Sequence, residues 1–591
     1  MAPIALADIN SSPSSLNTEP QSDFQLPLGE YIFKRIESLG IKSIFGVPGD
    51  FNLQFLEHLY QTNVKWYGCC NELNASYATD GYSRTTGKLG VLVTTFGVGE
   101  MSAMNGVSGA FAESVPMLHI VGTTALTVKS SGANIHHLVP NISTGLQKSD
   151  HYAYEKMVGP ISCRVESLKG LQNATDLIDG LIKTILEKKR PGYLYLPCDL
   201  VDQFVDASNL ISVPGESFFV RNSTIPPTVQ DNISELILQK LYNAKKPVVL
   251  ADVLVDRYGL TPQLREFVKL ANIPNSSTAM GKSILDESQA SYIGDYIGDE
   301  SAPQVAEYFR SADLVLHFGD YYNEINSGHN SLYKGINPDN LIILNPEYIS
   351  IGSRVKIFYE SFLDIVPQLL VSLDRSQLPD FSNHGVAPVE IKEVPSPKPI
   401  SQTLLLNKLQ KFLKPDDVLI SDTCSIMFGT NELRLPRNVK VIGQHFYLSI
   451  GMALPCSFGV SVALREMNSK RRLILLEGDG SAQMTIQELA NFNRHGLNPL
   501  IFLLNNNGYT VERVIKGPER DYNDIMPNWK WTKIFDVFGY SNAKCCKVGT
   551  PDELDQAMQK LGDSDLDVAR LIEVELAPLD VPDRFHAMCN C

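Results

Sequence analysis

Two short polar motifs in the C-terminal third of the chain have the residue types of a magnesium site. Gly478-Asp479-Gly480 follows the apolar run LILL, and Asn505-Asn506 ends the run PLIFLLN. Both runs are typical of buried strands, and ligands of open α/β sheets bind at the carboxyl ends of strands. A carboxylate, a side-chain amide and the carbonyl of Gly508 offer three oxygens, and two diphosphate oxygens with a water would complete the octahedron that Mg²⁺ prefers. The pattern predicts a diphosphate held by a metal on Asp479, Asn506 and Gly508.

Two other interpretations of the glycine-rich motifs were weighed. Gly-Asp-Gly without the asparagine pair is most often an ordinary turn. The segment TTFGVGEMSAMNG offers Gly97 and Gly99 for a dinucleotide fingerprint, but Ser102 stands where G-x-G-x-x-G needs its third glycine. A nicotinamide enzyme is therefore not expected.

The elements that must position these motifs alternate along the chain. From Leu28 onward, short apolar runs typical of strands alternate with segments of helical periodicity. Such alternation predicts an α/β protein with three consecutive doubly wound, mainly parallel-sheet domains. We expect an N-terminal domain over 25–201, a middle domain over 226–374 and a C-terminal domain over 400–580. The Pro-rich, polar segment 376–399 is predicted to be a linker, and residues 1–24 a flexible tail.

Composition narrows the class of protein. The net charge of −15 argues against nucleic acid and anionic membrane surfaces as partners, and no apolar run approaches the ~20 residues of a transmembrane helix. The first basic residue is Lys34, so neither a secretory signal nor an Arg-rich transit peptide is expected. Ten cysteines occur without any C-x-x-C spacing, which is typical of free thiols. We expect a cytoplasmic protein.

The Gly-Asp-Gly and Asn-Asn motifs together resemble the thiamine-diphosphate signature. The segments GVPGDFN, NELNASYATDGYSR, TTFGVGE, NNGYTVERVIKGP and the histidine pair HH resemble the yeast 2-oxo-acid decarboxylases of the pyruvate decarboxylase family. The resemblance runs in unbroken order from about residue 25 to 580. HHLVP, VDRYGL, MGKSILDES and YLSIGMALP are similar to the phenylpyruvate, or transaminated-amino-acid, branch.

The resemblance implies a set of cofactor-binding residues. Glu72 matches the glutamate that hydrogen-bonds the aminopyrimidine ring and activates the cofactor. Ile450 matches the aliphatic wedge between its two rings, and the carbonyl of Leu448 the acceptor for its amine. The remaining residues matched to cofactor binding are Thr95, Thr423, Ser425, Gly478, Asp479, Gly480, Ser481, Asn506 and Gly508. The cofactors implied are thiamine diphosphate and Mg²⁺.

The resemblance also implies catalytic and substrate-pocket residues. Asp50, His136, His137 and Glu512 match the polar quartet that handles protons after carbon dioxide leaves, and Glu72 joins them as a catalytic group. Met427 and Val511 match substrate-pocket positions. The two histidines could instead bind zinc, but no third ligand is evident nearby in the sequence and adjacent positions suit a metal poorly. In this family the site lies between subunits, which implies a homodimer or homotetramer.

The function expected from the resemblance is non-oxidative decarboxylation of aromatic 2-oxo acids, with branched-chain 2-oxo acids as further candidate substrates. Phenylpyruvate and indole-3-pyruvate are the expected substrates, in amino-acid catabolism by the Ehrlich route. Two alternatives stay open: an ordinary pyruvate decarboxylase, and a catalytically silent relative that senses thiamine diphosphate through protein partners.

Overall fold

The computed structural model describes residues 24–140, 148–220, 225–353, 355–359, 362–389, 400–526, 529–562 and 567–589. Of the predicted tail, residues 1–23 lie outside this description, as do residues 390–399 of the predicted linker. No helix within the described ranges is long and apolar enough to cross a membrane.

The N-terminal block is built around a six-stranded parallel sheet. Its strands are β2 (Ser43–Gly46), β3 (Lys65–Gly68), β4 (Gly90–Thr95), β5 (Met117–Thr123), β6 (Arg164–Ser167) and β7 (Gly192–Pro197), in the order β3-β2-β4-β5-β7-β6; β1 (Gln25–Pro27) and β8 (Phe204–Asp206) form a separate antiparallel pair. Its helices are α1 (Leu28–Ser38), α2 (Leu53–Glu57), α3 (Glu72–Thr86), α4 (Val98–Ala112), α5 (Leu126–Ser131), α6 (Ala153–Met157), α7 (Ala174–Lys188) and α8 (Asn209–Ser212).

The middle block has a six-stranded sheet that is parallel at one end and antiparallel at the other. Its strands are β9 (Pro247–Ala251), β10 (Asn275–Ser277), β11 (Leu314–Phe318), β12 (Leu341–Leu344), β13 (Tyr348–Ile351) and β14 (Val355–Phe358), in the order β10-β9-β11-β12-β13-β14. Its helices are α9 (Pro227–Asn243), α10 (Val253–Arg257), α11 (Thr261–Ala271), α12 (Pro303–Ser311) and α13 (Ile365–Ser372). Sequence periodicity did not reveal the antiparallel pairs β12-β13 and β13-β14.

The C-terminal block again has a six-stranded parallel sheet. Its strands are β15 (Val418–Ser421), β16 (Lys440–Ile442), β17 (Leu473–Gly478), β18 (Leu500–Asn505), β19 (Lys544–Val548) and β20 (Arg570–Glu575), in the order β16-β15-β17-β18-β20-β19. Its helices are α14 (Gln402–Phe412), α15 (Ser425–Gly429), α16 (Ala453–Glu466), α17 (Asp479–Thr485), α18 (Leu489–Arg494), α19 (Thr510–Ile515), α20 (Ile534–Val537), α21 (Pro551–Leu561) and α22 (Asp583–Cys589). Three consecutive α/β units with mainly parallel sheets confirm the predicted fold class.

The N-terminal and C-terminal sheets have the same topology. In each, the second strand of the sheet lies on one side of the first, and the third lies on the other. The direction in which successive strands are added to the sheet therefore reverses, which leaves a crevice between the ends of β2 and β4 and another between the ends of β15 and β17. Ligands of doubly wound sheets bind in the crevice at such a reversal. Asp50, Thr95, Thr423 and Asp479 of the predicted site lie at or shortly after the ends of these four strands.

The two outer blocks share one hydrophobic core through helices α3 and α16. A side chain at Gly81 or Gly459 would collide with the backbone of the opposite helix, at Cys456 and Ala78 respectively, so glycine allows the two helices to touch. Helix α3 begins where the Asn71 side chain accepts a hydrogen bond from the Asn74 amide. Its first turn thereby fixes the backbone of Glu72.

Candidate active site

A cavity of about 210 Å³ lies at the carboxyl edge of the C-terminal sheet. Its lining comes entirely from that block and contains ten of the predicted cofactor residues: Thr423, Ser425, Leu448, Ile450, Gly478, Asp479, Gly480, Ser481, Asn506 and Gly508. Cys424, Phe428, Tyr509, Thr510, Val511 and Glu512 complete the wall. We call this set of residues the C-terminal half-site.

Asp479 is the most strongly constrained carboxylate of this half-site. It is the first residue of α17, and Gly478 precedes it with extended backbone, so the helix begins directly at the end of β17. Oδ1 accepts a hydrogen bond of 2.8 Å from the Gly480 amide, while Oδ2 is buried and has no partner among the described residues. Burial raises the pKa of Asp479 to about 6. A buried carboxylate oxygen without a donor is a position that a cation would satisfy.

The amide of Asn506 supports the same interpretation. One of its terminal atoms lies 2.6 Å from the carbonyl oxygen of Gly508 and 3.3 Å from Oδ1 of Asp479. If nitrogen occupies this position, it donates to both neighbours; if oxygen occupies it, three oxygens converge. Three converging oxygens repel one another unless a cation lies between them. Asp479 and the carbonyl of Gly508 thus both lie within 3.3 Å of the Asn506 amide, so the fold brings the three predicted metal ligands together.

The wall beside Asp479 has the features of an anion site. The hydroxyl of Thr423 is shielded from water and has no hydrogen-bond partner among the described residues, and Ser425 donates to Gln402 at 2.9 Å. A side chain at Gly480 would approach the ring of Tyr509 to 2.7 Å, so this approach of backbone to ring requires a glycine. The first turns of α15 and α17 both face the cavity, and helix N-termini favour anions.

The segment 448–453 is held in an unusual conformation beside the cavity. Leu448 has φ of 58°, a left-handed conformation that is rare for a branched side chain. The buried carboxylate of Asp422 anchors the segment, because it accepts hydrogen bonds from the amides of Gly451 at 3.0 Å and Ala453 at 2.7 Å. Leu448 and Ile450 therefore reach the cavity from a rigid support, and such local strain is typical of functional sites.

An apolar cluster lies next to the cavity. Met427, Phe428, Val581, Phe585 and Met588 are buried together, and Leu448 and Val511 pack against them. Phe428 and Val511 form part of the cavity wall, whereas Met427 belongs to the cluster and not to the lining. Helix α22 contributes Phe585 and Met588 and so covers this side of the C-terminal half-site.

The remaining predicted catalytic residues meet in the N-terminal block. Nε2 of His136 lies 2.7 Å from Oδ2 of Asp50, and Nε2 of His137 lies 4.0 Å from Oδ1 of the same carboxylate. The turn that carries Asp50 is fixed by the buried side chain of Asn52, which accepts from the Gly49 amide and donates to the carbonyl of Val47. Asp50 is distant from the histidines in the sequence, where only the resemblance groups them, and the fold brings it to hydrogen-bond distance of His136.

Glu72 and Thr95 lie in the same block, and both side chains approach Gly99. A side chain at Gly99 would lie 3.1 Å from Oε1 of Glu72 and 3.1 Å from Cγ2 of Thr95. The hydroxyl of Thr95 is buried without a partner among the described residues. We call Asp50, Glu72, Thr95, His136 and His137 the N-terminal half-site.

The backbone of His137 rests on a buried network. His137 has φ of 72°, and its carbonyl accepts a hydrogen bond from Tyr154 at 2.7 Å and packs against Gly97. Glu100 accepts from the Gly97 amide and from the hydroxyl of Tyr195, each at 2.8 Å. Burial raises the pKa of Glu100 to about 7.

The structure thus brings the predicted residues into two groups within one chain. Glu512 lines the C-terminal cavity, whereas the resemblance had grouped it with Asp50 and the two histidines. The cavity lining includes no residue of the N-terminal half-site. Each group lies at the chain reversal of its own sheet, so the two half-sites occupy equivalent places in two equivalent blocks.

Sequence reasoning missed several residues of the C-terminal half-site. Glu477 precedes Gly478 in strand β17, is fully buried, and has no partner for either oxygen among the described residues. Burial, together with the nearby Asp422, raises the pKa of Glu477 well above its usual range. The one signal was an acidic residue inside an apolar strand. Asp422, Phe428 and Tyr509 gave no signal, since their roles depend on the fold.

Comparison with known proteins accounts for this arrangement. Models of thiamine pyrophosphate enzymes match the chain in three parts: the N-terminal TPP binding domain over residues 27–145, the central domain over 234–370 and the C-terminal TPP binding domain over 423–574. The two outer matches contain the two half-sites.

Full-length relatives are decarboxylases of yeasts. The chain is 40% identical to the transaminated amino acid decarboxylase of Saccharomyces cerevisiae, over 95% of this chain and 94% of that protein. It is 34% identical to pyruvate decarboxylase isozyme 3 of the same yeast, over 95% and 97%. It is 35% identical to the pyruvate decarboxylase of Hanseniaspora uvarum, over 96% and 98%. The chain belongs to the thiamine-pyrophosphate-dependent decarboxylase family, as its motifs predicted.

Proposed function

We propose that this enzyme decarboxylates aromatic 2-oxo acids, such as phenylpyruvate and indole-3-pyruvate, to aldehydes. The observation that carries the proposal is the composition of the cavity. Asp479, Asn506 and Gly508 contribute polar atoms to its lining, and Phe428 and Val511 contribute an apolar wall. Polar atoms for a metal-bound diphosphate and an apolar wall for a ring suit one cofactor and one aromatic substrate.

The cofactors proposed are thiamine diphosphate and Mg²⁺. Asp479, Asn506 and the carbonyl of Gly508 would hold the metal. Thr423, whose hydroxyl has no partner in the part of the chain that the structure describes, would bind the diphosphate. Bound thiamine diphosphate supplies the electron sink that loss of carbon dioxide requires. Ile450 and the carbonyl of Leu448 would orient it.

The acid-base groups of this chain would manage the protons. Glu72 would exchange a proton with the pyrimidine side of the cofactor, and the Asp50–His136 pair would hold a proton near the reacting carbon. Glu512, at the mouth of the C-terminal cavity, would face the substrate carboxylate. Because these groups lie in two half-sites, we propose a homodimer or homotetramer in which each complete site takes one half from each subunit.

The preference for an aromatic ring rests on the apolar wall and on similarity. Val511 stands where pyruvate decarboxylases usually carry isoleucine, which leaves one methylene more room. Burying an aromatic ring against this wall would contribute on the order of 2 kcal/mol. The relative at 40% identity is named for transaminated amino acids, the 2-oxo acids formed when amino acids lose their amino group. We therefore propose a role in amino-acid catabolism by the Ehrlich route, in the cytoplasm.

The direct test compares kcat/KM for phenylpyruvate, 4-hydroxyphenylpyruvate, indole-3-pyruvate, a branched 2-oxo acid and pyruvate. The proposal expects the aromatic acids to exceed pyruvate by about 10–200-fold, the range that one methylene of an apolar pocket can discriminate. A preference for pyruvate would instead identify a pyruvate decarboxylase. Absence of carbon dioxide release from every acid, with cofactor bound, would identify a silent sensor.

A further inference from the structure

A second cavity lies where all three blocks meet, away from both half-sites. A chamber of about 270 Å³ opens into a groove of about 800 Å³. The two share Arg84, Asp256, Thr261, Arg265, Asn438 and Lys440, and we call them together the junction cleft. Its walls include helix α11 and the loop before β16.

Two arginines of the junction cleft have no carboxylate partner among the described residues. The guanidinium of Arg265 donates to the carbonyls of Ile284 and Ser283 and to the side-chain oxygen of Asn438, at 2.5–3.0 Å. Arg471 donates only to backbone carbonyls, among them that of Asp416 at 2.6 Å. Neutral acceptors hold these two side chains in place without neutralising them, so their charge is available to an anion.

Two further cations share a single carboxylate. Nη1 of Arg257 lies 3.0 Å and Nζ of Lys440 lies 3.7 Å from Oδ2 of Asp256. Lys440 also donates to the carbonyl of Arg84 at 2.7 Å. The guanidinium of Arg84 itself is paired with Asp80.

The remaining acids of the cleft do not restore the balance. Glu113 accepts from the amides of Phe446 and Tyr447 and lies 3.8 Å from Arg84, and Asp416 is exposed to water. In the groove, Glu266 lies 3.7 Å from Lys269, and Asp286 accepts hydrogen bonds from Ser288 and Gln289 and attracts Arg265. Arg257, Arg265, Lys440 and Arg471 thus face two carboxylates, Asp256 and Asp286, which leaves positive charge in excess.

The titration of these groups reflects the surplus of positive charge. Burial, with repulsion from Arg257 and Arg471, lowers the pKa of Lys440. Although burial opposes it, the neighbouring Lys440 and Arg257 lower the pKa of Asp256. Both shifts indicate a positive potential inside the cleft, which an anion would relieve.

We propose that the junction cleft binds a phosphoryl dianion, either free phosphate or the phosphate of an ester. Arg257, Arg265, Lys440 and Arg471 reach the chamber from different directions. Converging cations suit a tetrahedral dianion better than a planar carboxylate, which one guanidinium can satisfy. The groove beside the chamber leaves room for the organic part of an ester. The bound group would bridge the middle and C-terminal blocks next to Arg84 of the N-terminal block.

The test measures binding by isothermal titration calorimetry on the full-length protein, with saturating thiamine diphosphate and Mg²⁺ so that the catalytic cavity does not take up the probe. The probes are inorganic phosphate and glycerol 3-phosphate, with acetate and phenylpyruvate as carboxylate controls at matched ionic strength. We expect one phosphoryl site per chain. Tighter binding of the ester would identify an ester as the occupant, and equal or weaker binding would identify free phosphate.

Variants locate the site and need no activity, so the outcome does not depend on the proposed substrate. Arg265→Gln and, from the other block, Arg471→Gln should each weaken phosphate binding by about tenfold, the effect of one charge-assisted hydrogen bond. Lys245→Gln removes an exposed charge from the middle block outside the cleft and should leave affinity unchanged. Circular dichroism checks that each variant is folded. The proposal is overturned if neither phosphoryl probe binds, if folded Arg265→Gln and Arg471→Gln bind as wild type does, or if the carboxylates bind as tightly.

Discussion

The N-terminal and C-terminal half-sites occupy the same place in two sheets of the same topology, yet their environments are opposite. In the C-terminal half-site Asp479 is 1% exposed. In the N-terminal half-site the side chains of Asp50 and His136 are 54% and 58% exposed within one chain. One half-site is thus buried and preorganised, and the other is open to water.

The difference indicates how the complete site forms. A metal and a diphosphate need a rigid, dry cradle, because their ligands must converge before binding. Acid-base groups act strongly only when water is excluded, and a single chain does not exclude water from Asp50 and His136. Under the proposed assembly, a second subunit would cover this face with its own C-terminal half-site. The predictions below test the two halves in turn.

The largest expected effect is on the C-terminal half-site. Asp479→Ala removes the only charged metal ligand of the proposed set, so we expect Mg²⁺ and thiamine diphosphate binding to be lost together, and activity with them. Calorimetry with both ligands measures this. Asp536→Ala, an exposed aspartate of the same block, serves as the control. Wild-type cofactor affinity in Asp479→Ala would refute the metal assignment.

The next effect concerns the N-terminal half-site. Glu72→Gln keeps the size of the side chain but cannot exchange a proton, so kcat should fall by roughly 10²–10⁴. Cofactor binding and assembly, followed by calorimetry and sedimentation, should change little. Turnover within a few-fold of wild type would exclude Glu72 as the activating group.

Mixing these two variants tests whether the halves come from different subunits. A dimer of Glu72→Gln with Asp479→Ala would contain one doubly altered site and one intact site. Refolding or co-expressing equal amounts should therefore restore about one quarter of wild-type activity, as expected for random pairing in a symmetric dimer. No recovery in mixtures that demonstrably contain mixed dimers would place both halves of a site in one subunit.

A fourth prediction concerns the buried network behind the N-terminal half-site. Because the folded-state pKa of Glu100 is raised to about 7, the folded protein holds this proton more tightly than the unfolded chain. Stability should therefore fall as pH rises from about 4.5 to 7, by up to about 3 kcal/mol from this group. Glu100→Gln should lose this part of the pH dependence, measured by denaturant unfolding across the range. Glu187→Gln, on the surface, should retain it; parallel profiles for wild type and Glu100→Gln would contradict the assignment.

The smallest effect is expected at the apolar wall. Val511→Ile adds one methylene to the cavity lining, so kcat/KM for phenylpyruvate should fall by about tenfold, near the lower end of what one methylene discriminates. The value for pyruvate should change less. Val537→Ile, at an exposed position of the same block, is the control. Equal effects on both substrates would show that Val511 does not contact the ring.

Several features of the site could be predicted from the sequence because they depend on strand ends. Asp479 and Asn506 follow adjacent parallel strands, and the carboxyl ends of such strands meet at one edge. The strand-end argument does not predict the contact between Asp50 and His136, because the two residues are 86 positions apart and meet only in the folded chain.

The sequence by itself determined the three α/β units, the family and the residue types at each strand end, because these are recorded in local patterns and motifs. The tertiary structure alone decided that Glu477 is fully buried, that Asp422 anchors the Leu448 segment, and that the predicted site divides into two halves. It also assembled the junction cleft, whose charges come from segments far apart in the chain. The reason is that burial and electrostatic potential depend on distances in space, and the sequence fixes those distances only through the fold.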